Sequence, residues 1–251
     1  MDNISKKRIG MLTPSSNVIV EPITNYLLSQ TPVTAHFSRF PVTHIDLSDT
    51  GKVQFDSTPM LAAAQLLADA HVNVIAWNGT SGTWLGLDHD IRLCRAIRDV
   101  TDIPAFTFLT AQLALFKHYG IHRIGLITPY RGDVVTAICR NFEDMGLKVV
   151  SEQHLGLQDN FSFAEVSSDT LQDLAAHTMM ADVQALCIMC TNLLGANVVN
   201  TLETQHGVIV FDSVDVVVWG GLQAVGWHNA ITDQGRLLLD NPTVDPISFE
   251  P

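Results

Sequence analysis

Short apolar runs alternate along the chain with longer amphipathic stretches in which apolar residues recur every three or four positions. This alternation is typical of βαβ units, because helices on both faces of a parallel sheet bury its strands completely. The runs predict eight strands: Arg8–Leu12, Val33–Phe40, Val72–Trp77, Ala105–Thr107, Arg123–Thr128, Lys148–Gln153, Ala185–Met189 and Val208–Asp212. The predicted fold class is therefore α/β.

The sequence also contains an internal repeat. Residues 8–14, RIGMLTP, return as residues 123–129, RIGLITP. Residues 72–81, VNVIAWNGTS, are echoed in the same order by residues 183–192, VQALCIMCTN. A weaker echo relates the segment IPAF near the end of the first half to the segment VIVF near the end of the second. The repeat predicts one four-stranded βα unit that is present twice.

The duplication predicts an N-terminal α/β half at residues 1–118 and a C-terminal α/β half at residues 119–226, with terminal helices able to exchange between the halves. An extension follows at residues 227–251. Two similar parallel sheets related by a pseudo-twofold axis bring the carboxyl ends of their strands to one shared cleft. Open α/β sheets bind their ligands at that edge.

Four loops are predicted to line this cleft. They are rich in Ser, Thr, Asn, Tyr or Gly and carry few charges, so they offer neutral hydroxyl and amide donors and backbone N–H groups at helix N-termini. Such donors suit a carboxylate, or an enediolate that develops from one. The loops are Thr13–Asn17, Asn78–Thr83, Thr128–Gly132 and Cys190–Gly195.

Composition narrows the function classes. The 251 residues are 47% hydrophobic and 16% charged, which is typical of a globular protein and excludes a disordered tail. A formal net charge of -12 disfavours nucleic acid as a partner, and the only short basic cluster is Lys6-Lys7-Arg8. The N-terminus lacks the apolar stretch of a secretory signal, and no apolar run is long enough for a membrane span. We therefore expect a cytoplasmic protein.

No motif for a metal or a nucleotide stands out. The four cysteines include one C-x-x-C without a second Cys/His pair at zinc-finger spacing, and the ten histidines show no metal-binding spacing. A phosphate-binding loop is absent, and no G-x-G-x-x-G follows the first strand. We expect neither a metal nor a nucleotide cofactor.

Cys190 is the candidate catalytic residue. It lies where the strand ending at Met189 passes into a cleft loop, and a helix that begins just beyond it would stabilise a thiolate. Gly79 occupies the equivalent position in the first half, so the cleft has a thiol on one side only. A reaction that needs one base on each face of the same carbon would therefore lack its second base. The other cysteines, Cys94, Cys139 and Cys187, are interpreted as packing residues.

Neighbouring loop residues, together with Gly79, are candidate ligands of a substrate. Thr80 and Ser81, with their repeat equivalents Thr191 and Asn192, either cap the helices that follow or bind a ligand, and the two roles are compatible. Tyr130 ends the second Thr-Pro loop, from which its phenol could reach a substrate carboxylate.

These segments together resemble the aspartate/glutamate racemase superfamily, and more closely its branch of maleate cis-trans isomerases and arylmalonate decarboxylases. The segments that carry the resemblance are LTPSSN at 12–17, GTSG at 79–82, TPY at 128–130, DN at 159–160 and CTN at 190–192. The resemblance implies two pseudo-symmetric α/β halves, no cofactor or metal, a small carboxylic or dicarboxylic acid as substrate, and a homo-oligomer.

The resemblance also implies roles for particular residues. Asn17, Tyr130 and Asn160 match positions that bind substrate carboxylates in the maleate isomerase group. Cys190 matches the second of the two cysteines that some members use, whereas Gly79 stands where the first would be. The glycine and cysteine together resemble the arylmalonate decarboxylases, in which a single thiol protonates an enediolate after loss of carbon dioxide.

The sequence leaves four functions open. The leading hypothesis is decarboxylation of a substituted malonate, with Cys190 as the proton donor. The nearest alternative is cis-trans isomerisation of a maleate-like diacid. Racemisation of an amino acid such as aspartate or glutamate ranks third, because Gly79 removes one base. A non-catalytic carboxylate-binding or sensor protein would keep the cleft and show no turnover.

Overall fold

The computed structural model describes residues 7–247. Lys6 of the basic cluster and residues 248–251 of the predicted extension lie outside the described residues. All eight predicted strands are confirmed, and their ends differ from the prediction by no more than two residues. The strands are β1 Arg8–Pro14, β2 Thr34–Phe40, β3 Val74–Trp77, β4 Ala105–Thr107, β5 Arg123–Thr128, β6 Lys148–His154, β7 Ala185–Ile188 and β8 Ile209–Asp212.

Helices connect the strands in the alternating order that the sequence predicts. Those before β5 are α1 Val20–Leu28, α2 Asp49–Val53, α3 Ser57–Asp69, α4 Gly82–Leu85, α5 Leu87–Thr101 and α6 Phe108–Tyr119. Those after it are α7 Gly132–Asp144, α8 Ser168–Thr178, α9 Val199–His206, α10 Ser213–Ala224 and α11 Gly235–Asp240, with short 3-10 helices at Phe161–Glu165 and Gly195–Val198.

Two parallel four-stranded sheets form the centre of the fold. Their strand orders are β2-β1-β3-β4 and β6-β5-β7-β8, so each strand of the first sheet has its equivalent four strands later. All side chains of the interior strands β3 and β7 are buried, because helices cover both faces of each sheet. The fold is therefore the duplicated α/β architecture that the sequence repeat predicts.

Helices near the ends of each half pack against the other half. α10 follows β8 in the chain, but it contacts α1, α6 and β3 of the first half. Gly220 and Gly221 allow this close approach, because a Cβ at either position would press on Phe106 or Ile9 of the first sheet. The domain limits at 118/119 and 226/227 stay a prediction.

The segment after α10 folds back onto the second half. α11 contacts β8, α9 and α10, and the indole nitrogen of Trp219 donates a hydrogen bond of 3.1 Å to the carbonyl of Pro242. Within residues 7–247, no helix has the length and apolar character needed to cross a membrane.

Candidate active site

Loops of the two halves meet at the carboxyl ends of their strands. Asn17 of the first half donates from Nδ2 to Oγ1 of Thr191 in the second half, at 3.1 Å, and Thr191 Oγ1 donates to the carbonyl of Asn78, also at 3.1 Å. The backbone N–H of Val18 donates to Oδ1 of Asn192 at 2.9 Å. The structure thus brings the first and fourth predicted loops into direct contact.

The remaining candidate residues join the same network. Thr80 and Tyr130, from opposite halves, share a hydrogen bond of 2.7 Å between their hydroxyl oxygens. Asn160 donates from Nδ2 to Oγ of Ser16 at 2.7 Å, and its carbonyl accepts from Nδ2 of Asn192 at 2.6 Å. These side chains are at least nine-tenths buried, with the exception of Ser16, which is partly buried.

Cys190 follows β7 at the centre of this network, and the backbone N–H of Asn192 contacts its sulfur at 3.4 Å. Burial raises the pKa of the Cys190 thiol to about 12, and the nearby Asp212 charge adds to this increase. Hydrogen bonds from the Tyr130 hydroxyl and from the N–H groups of Asn192 and Leu193 oppose it only in part. The Cys190 side chain is therefore a neutral thiol at neutral pH.

The expectation of a helix just beyond Cys190 that stabilises a thiolate is wrong. A turn follows the cysteine, the first helical residues belong to the 3-10 helix Gly195–Val198, and α9 begins only at Val199. Without helix N–H groups directed at the sulfur, desolvation dominates and favours the neutral form. A thiol that keeps its proton is suited to donate it, whereas a nucleophile requires the thiolate.

Gly79, the residue equivalent to Cys190 in the first half, packs against an aromatic ring. The indole of Trp77 folds beneath Gly79 and donates from Nε1 to Oγ of Ser81 at 3.1 Å, while its ring lies 5.1 Å from the ring of Phe40. A Cβ at Gly79 would overlap the indole ring itself. Gly79 is thus required by the packing of Trp77, and this side of the site has no space for a second thiol.

This packing predicts that Gly79→Ala destabilises the fold. Because the new methyl group would overlap a rigid buried ring, we expect a loss of about 1–3 kcal/mol in the free energy of unfolding. Gly132→Ala is the matched control, since its Cβ would meet only His154, at an ordinary 3.4 Å. Urea unfolding of both variants measures the difference, and equal stabilities would contradict the assigned position of Trp77.

Tyr130 is held by an aromatic cluster that the sequence did not predict. Its ring packs edge-on against Trp84 and Phe163 at 5.2 and 5.6 Å, and Phe55 packs against Trp84 at 5.8 Å. Burial raises the pKa of Tyr130 well above its usual value, so the phenol remains a neutral hydrogen-bond donor. The cluster provides rigid, apolar surroundings beside the polar loops.

A cross-half contact, which we call the cross-half strap, joins residues 43–46 of the first half to residues 158–160 of the second. Ile45 N–H donates to the Gln158 carbonyl and Asn160 N–H donates to the Thr43 carbonyl, each at 2.9 Å. Because Asn160 also bonds to Ser16, the strap is attached directly to the site. It thus joins the two halves beside the site.

No cluster suited to a metal emerges from the part of the chain that the structure describes: no group of three or more His, Cys, Asp or Glu residues in residues 7–247 is arranged to hold an ion. Cys94 and Cys139 lie on α5 and α7, and Cys187 lies within β7. Burial raises the pKa of each of these thiols, as expected for packing residues.

The fold consists of two equivalent α/β halves, and Cys190 is buried among neutral donors where the halves meet. Comparison with known proteins identifies the family to which the chain belongs. The sequence model of the arylmalonate decarboxylase family matches residues 9–238. The chain belongs to this family and is an enzyme, so the non-catalytic alternative is not favoured.

Known proteins that are similar to this chain include both an arylmalonate decarboxylase and maleate isomerases. The chain is 25% identical to the arylmalonate decarboxylase of Bordetella bronchiseptica, over 94% of this chain and 98% of that protein. A solved maleate isomerase of Pseudomonas putida S16, a cysteine-to-alanine variant with maleate, has a TM-score of 0.86 and 23% identity, over 93% and 98% of the two chains. A maleate isomerase variant of Nocardia farcinica with a covalently bound succinylcysteine intermediate has a TM-score of 0.83 and 21% identity, over the same shares.

Proposed function

We propose that this enzyme decarboxylates a substituted malonate without a cofactor, and that Cys190 protonates the enediolate from one face. The observation that carries the proposal is the asymmetry of the site. Cys190 offers a protonated thiol on one side, while the indole of Trp77 fills the space beside Gly79 on the other. The likeness to a known arylmalonate decarboxylase supports the same reaction.

Neutral donors hold the substrate in this proposal. The hydroxyls of Thr80, Ser81 and Tyr130, with the backbone N–H of Thr191, stabilise the carboxylate that becomes the enediolate. The departing carboxylate lies in poorly solvated surroundings, which favour loss of its charge as carbon dioxide. The aromatic cluster around Tyr130 provides such surroundings.

The reaction balances with one proton. The bond between the α-carbon and the departing carboxylate breaks, and its electron pair moves into the enediolate as carbon dioxide leaves. The Cys190 thiol then donates its proton to the α-carbon, and solvent returns a proton to the sulfur after the product leaves. General acid catalysis of this kind typically contributes about 10²–10⁴-fold to the rate.

A proton donor and a nucleophile predict different pH dependences of kcat. Because the pKa of Cys190 is raised, a proton-donating thiol remains in its active form, and we expect no increase in kcat from this group between about pH 6 and about pH 9. A nucleophilic Cys190 requires the thiolate, so kcat would rise roughly tenfold per pH unit over the same range. Measured pH profiles of kcat distinguish the two, and a rising profile would contradict the proton donor.

The second candidate is cis-trans isomerisation of a maleate-like diacid. The buried amides of Asn17 and Asn160 favour it, because they come from opposite halves and are suited to bind a second carboxylate. The maleate isomerase of Nocardia farcinica, which is similar in fold, forms a cysteine adduct. Racemisation remains the third alternative, since it needs a second base opposite Cys190.

Product analysis distinguishes these reactions. We expect the enzyme to release carbon dioxide from an aryl- or alkyl-substituted malonate and to leave maleate unchanged, as followed by proton NMR. Conversion of maleate to fumarate, with no loss of carbon dioxide from any malonate, would contradict the proposed decarboxylation and favour the isomerase.

A further inference from the structure

The two halves differ at a second pair of equivalent positions. Trp77 at the end of β3 pairs with Thr107 in the first sheet, and Ile188 at the end of β7 pairs with Asp212 in the second. Thr107 and Asp212 each cap the helix that follows. In the half that contains Gly79, the capping group is the neutral hydroxyl of Thr107. In the half that contains Cys190, it is the carboxyl group of Asp212.

Asp212 lies directly behind the Cys190 loop, residues 190–195. Its Oδ1 accepts hydrogen bonds from the N–H groups of Val214 and Asp215, at 2.8 and 3.3 Å. Its Oδ2 is buried without a hydrogen-bond partner among the described residues. A Cβ at Gly195 would overlap this oxygen, so the carboxyl group contacts the end of the loop that begins at Cys190.

A second buried acid accompanies Asp212. Asp215 accepts two hydrogen bonds from Gln234 Nε2, and Glu203, which is close to Arg236, faces it from α9. Burial raises the pKa of both aspartates, and the neighbouring Asp212 charge raises that of Asp215 further. Asp212 loses its proton first, because backbone N–H groups at the start of α10 stabilise its carboxylate.

We propose that Asp212 is a positioning residue for Cys190, whose negative charge behind the loop adds to burial in disfavouring the Cys190 thiolate. The proposal rests on the proposed role of Cys190. The Tyr130 hydroxyl and the backbone N–H groups of Asn192 and Leu193 favour the Cys190 thiolate. Asp212 is the charged side chain that opposes them.

Alkylation of Cys190 in Asp212→Asn tests this role. Asparagine keeps the volume and the capping oxygen but removes the charge, so a larger fraction of Cys190 becomes thiolate. At about pH 9 we expect iodoacetamide to alkylate Cys190 about tenfold faster than in the parent, which corresponds to a pKa lower by about one unit. Mass spectrometry of the separated peptides follows each cysteine individually.

Cys187 provides the internal control, because it is also buried, lies within β7 three residues before Cys190, and has a pKa raised by burial. A general loosening of the fold would accelerate the alkylation of both cysteines, whereas the proposed effect accelerates the alkylation of Cys190 alone. Thr107→Ala removes the equivalent cap of the first half and should leave the Cys190 rate unchanged. Asp212→Thr is the second variant, because threonine is the capping residue at the equivalent position of the first half. If Asp212→Asn does not fold, we expect Asp212→Thr to show the same faster alkylation of Cys190.

Two outcomes would overturn the proposal: an unchanged Cys190 rate in both Asp212 variants, or equal acceleration of Cys190 and Cys187. Because alkylation needs no substrate, the experiment stands apart from the proposed decarboxylation. If Cys190 responds as expected but no malonate loses carbon dioxide, the proposed function fails and the electrostatic link between Asp212 and Cys190 remains.

Discussion

Cys190→Ala is expected to lower turnover of a substituted malonate by about 10²–10⁴-fold, because it removes the group that we propose delivers the proton. The fold should persist, since alanine fills most of the volume of a buried cysteine. Cys187→Ala is the matched control: it removes an equally buried thiol three residues earlier, which lies within β7 away from the polar loops. We expect the control to keep its turnover.

Steady-state kinetics of both variants, with thermal unfolding as a check of folding, measure this effect. Full turnover of a folded Cys190→Ala variant would show that another group supplies the proton. Equal losses in the two variants would indicate damage to β7 and its loop instead of loss of a catalytic group.

Tyr130→Phe should lower kcat by about 100-fold, because it removes one hydroxyl donor to the enediolate. The phenyl ring retains the contacts with Trp84 and Phe163, so we expect little change in stability. Tyr119→Phe is the control, since the buried Tyr119 hydroxyl has no hydrogen-bond partner among the described residues. A kcat that falls equally in both variants, or in neither, would contradict the role of Tyr130.

The fold could be predicted because its strongest determinants are local and appear twice. Buried central strands need continuous apolar runs, and the repeat of RIGMLTP as RIGLITP specifies equivalent strands. Strand ends were harder to predict, because they depend on where the partner strand begins and ends. β3 begins at Val74 and not at Val72, because its pairing with β1 starts with Ile9 opposite Val74.

The candidate site was predictable only as a set of loops. Periodicity places Asn17, Thr80, Tyr130 and Cys190 at strand ends, and the structure brings them together as expected. The pattern of apolar and polar residues did not predict the cross-half strap, because the strap joins segments that are far apart in the sequence. It also could not show which way a side chain turns from its strand.

Trp77 and Asp212 illustrate this limit. Both belong to runs that the sequence identifies as strands. The indole beneath Gly79 and the carboxyl group against Gly195 become visible only when side-chain packing is known. The repeat did contain one usable signal, since it aligns Thr107 of the first half with Asp212 of the second.

Decarboxylation of a prochiral disubstituted malonate in D₂O tests the central claim most directly. A single thiol acting from one side predicts a product with one deuterium at the α-carbon, in one enantiomer, that keeps its configuration when incubation with the enzyme continues. A racemic product, or a product that exchanges and racemises in the presence of the enzyme, would contradict the claim by showing that a second base acts on the opposite face.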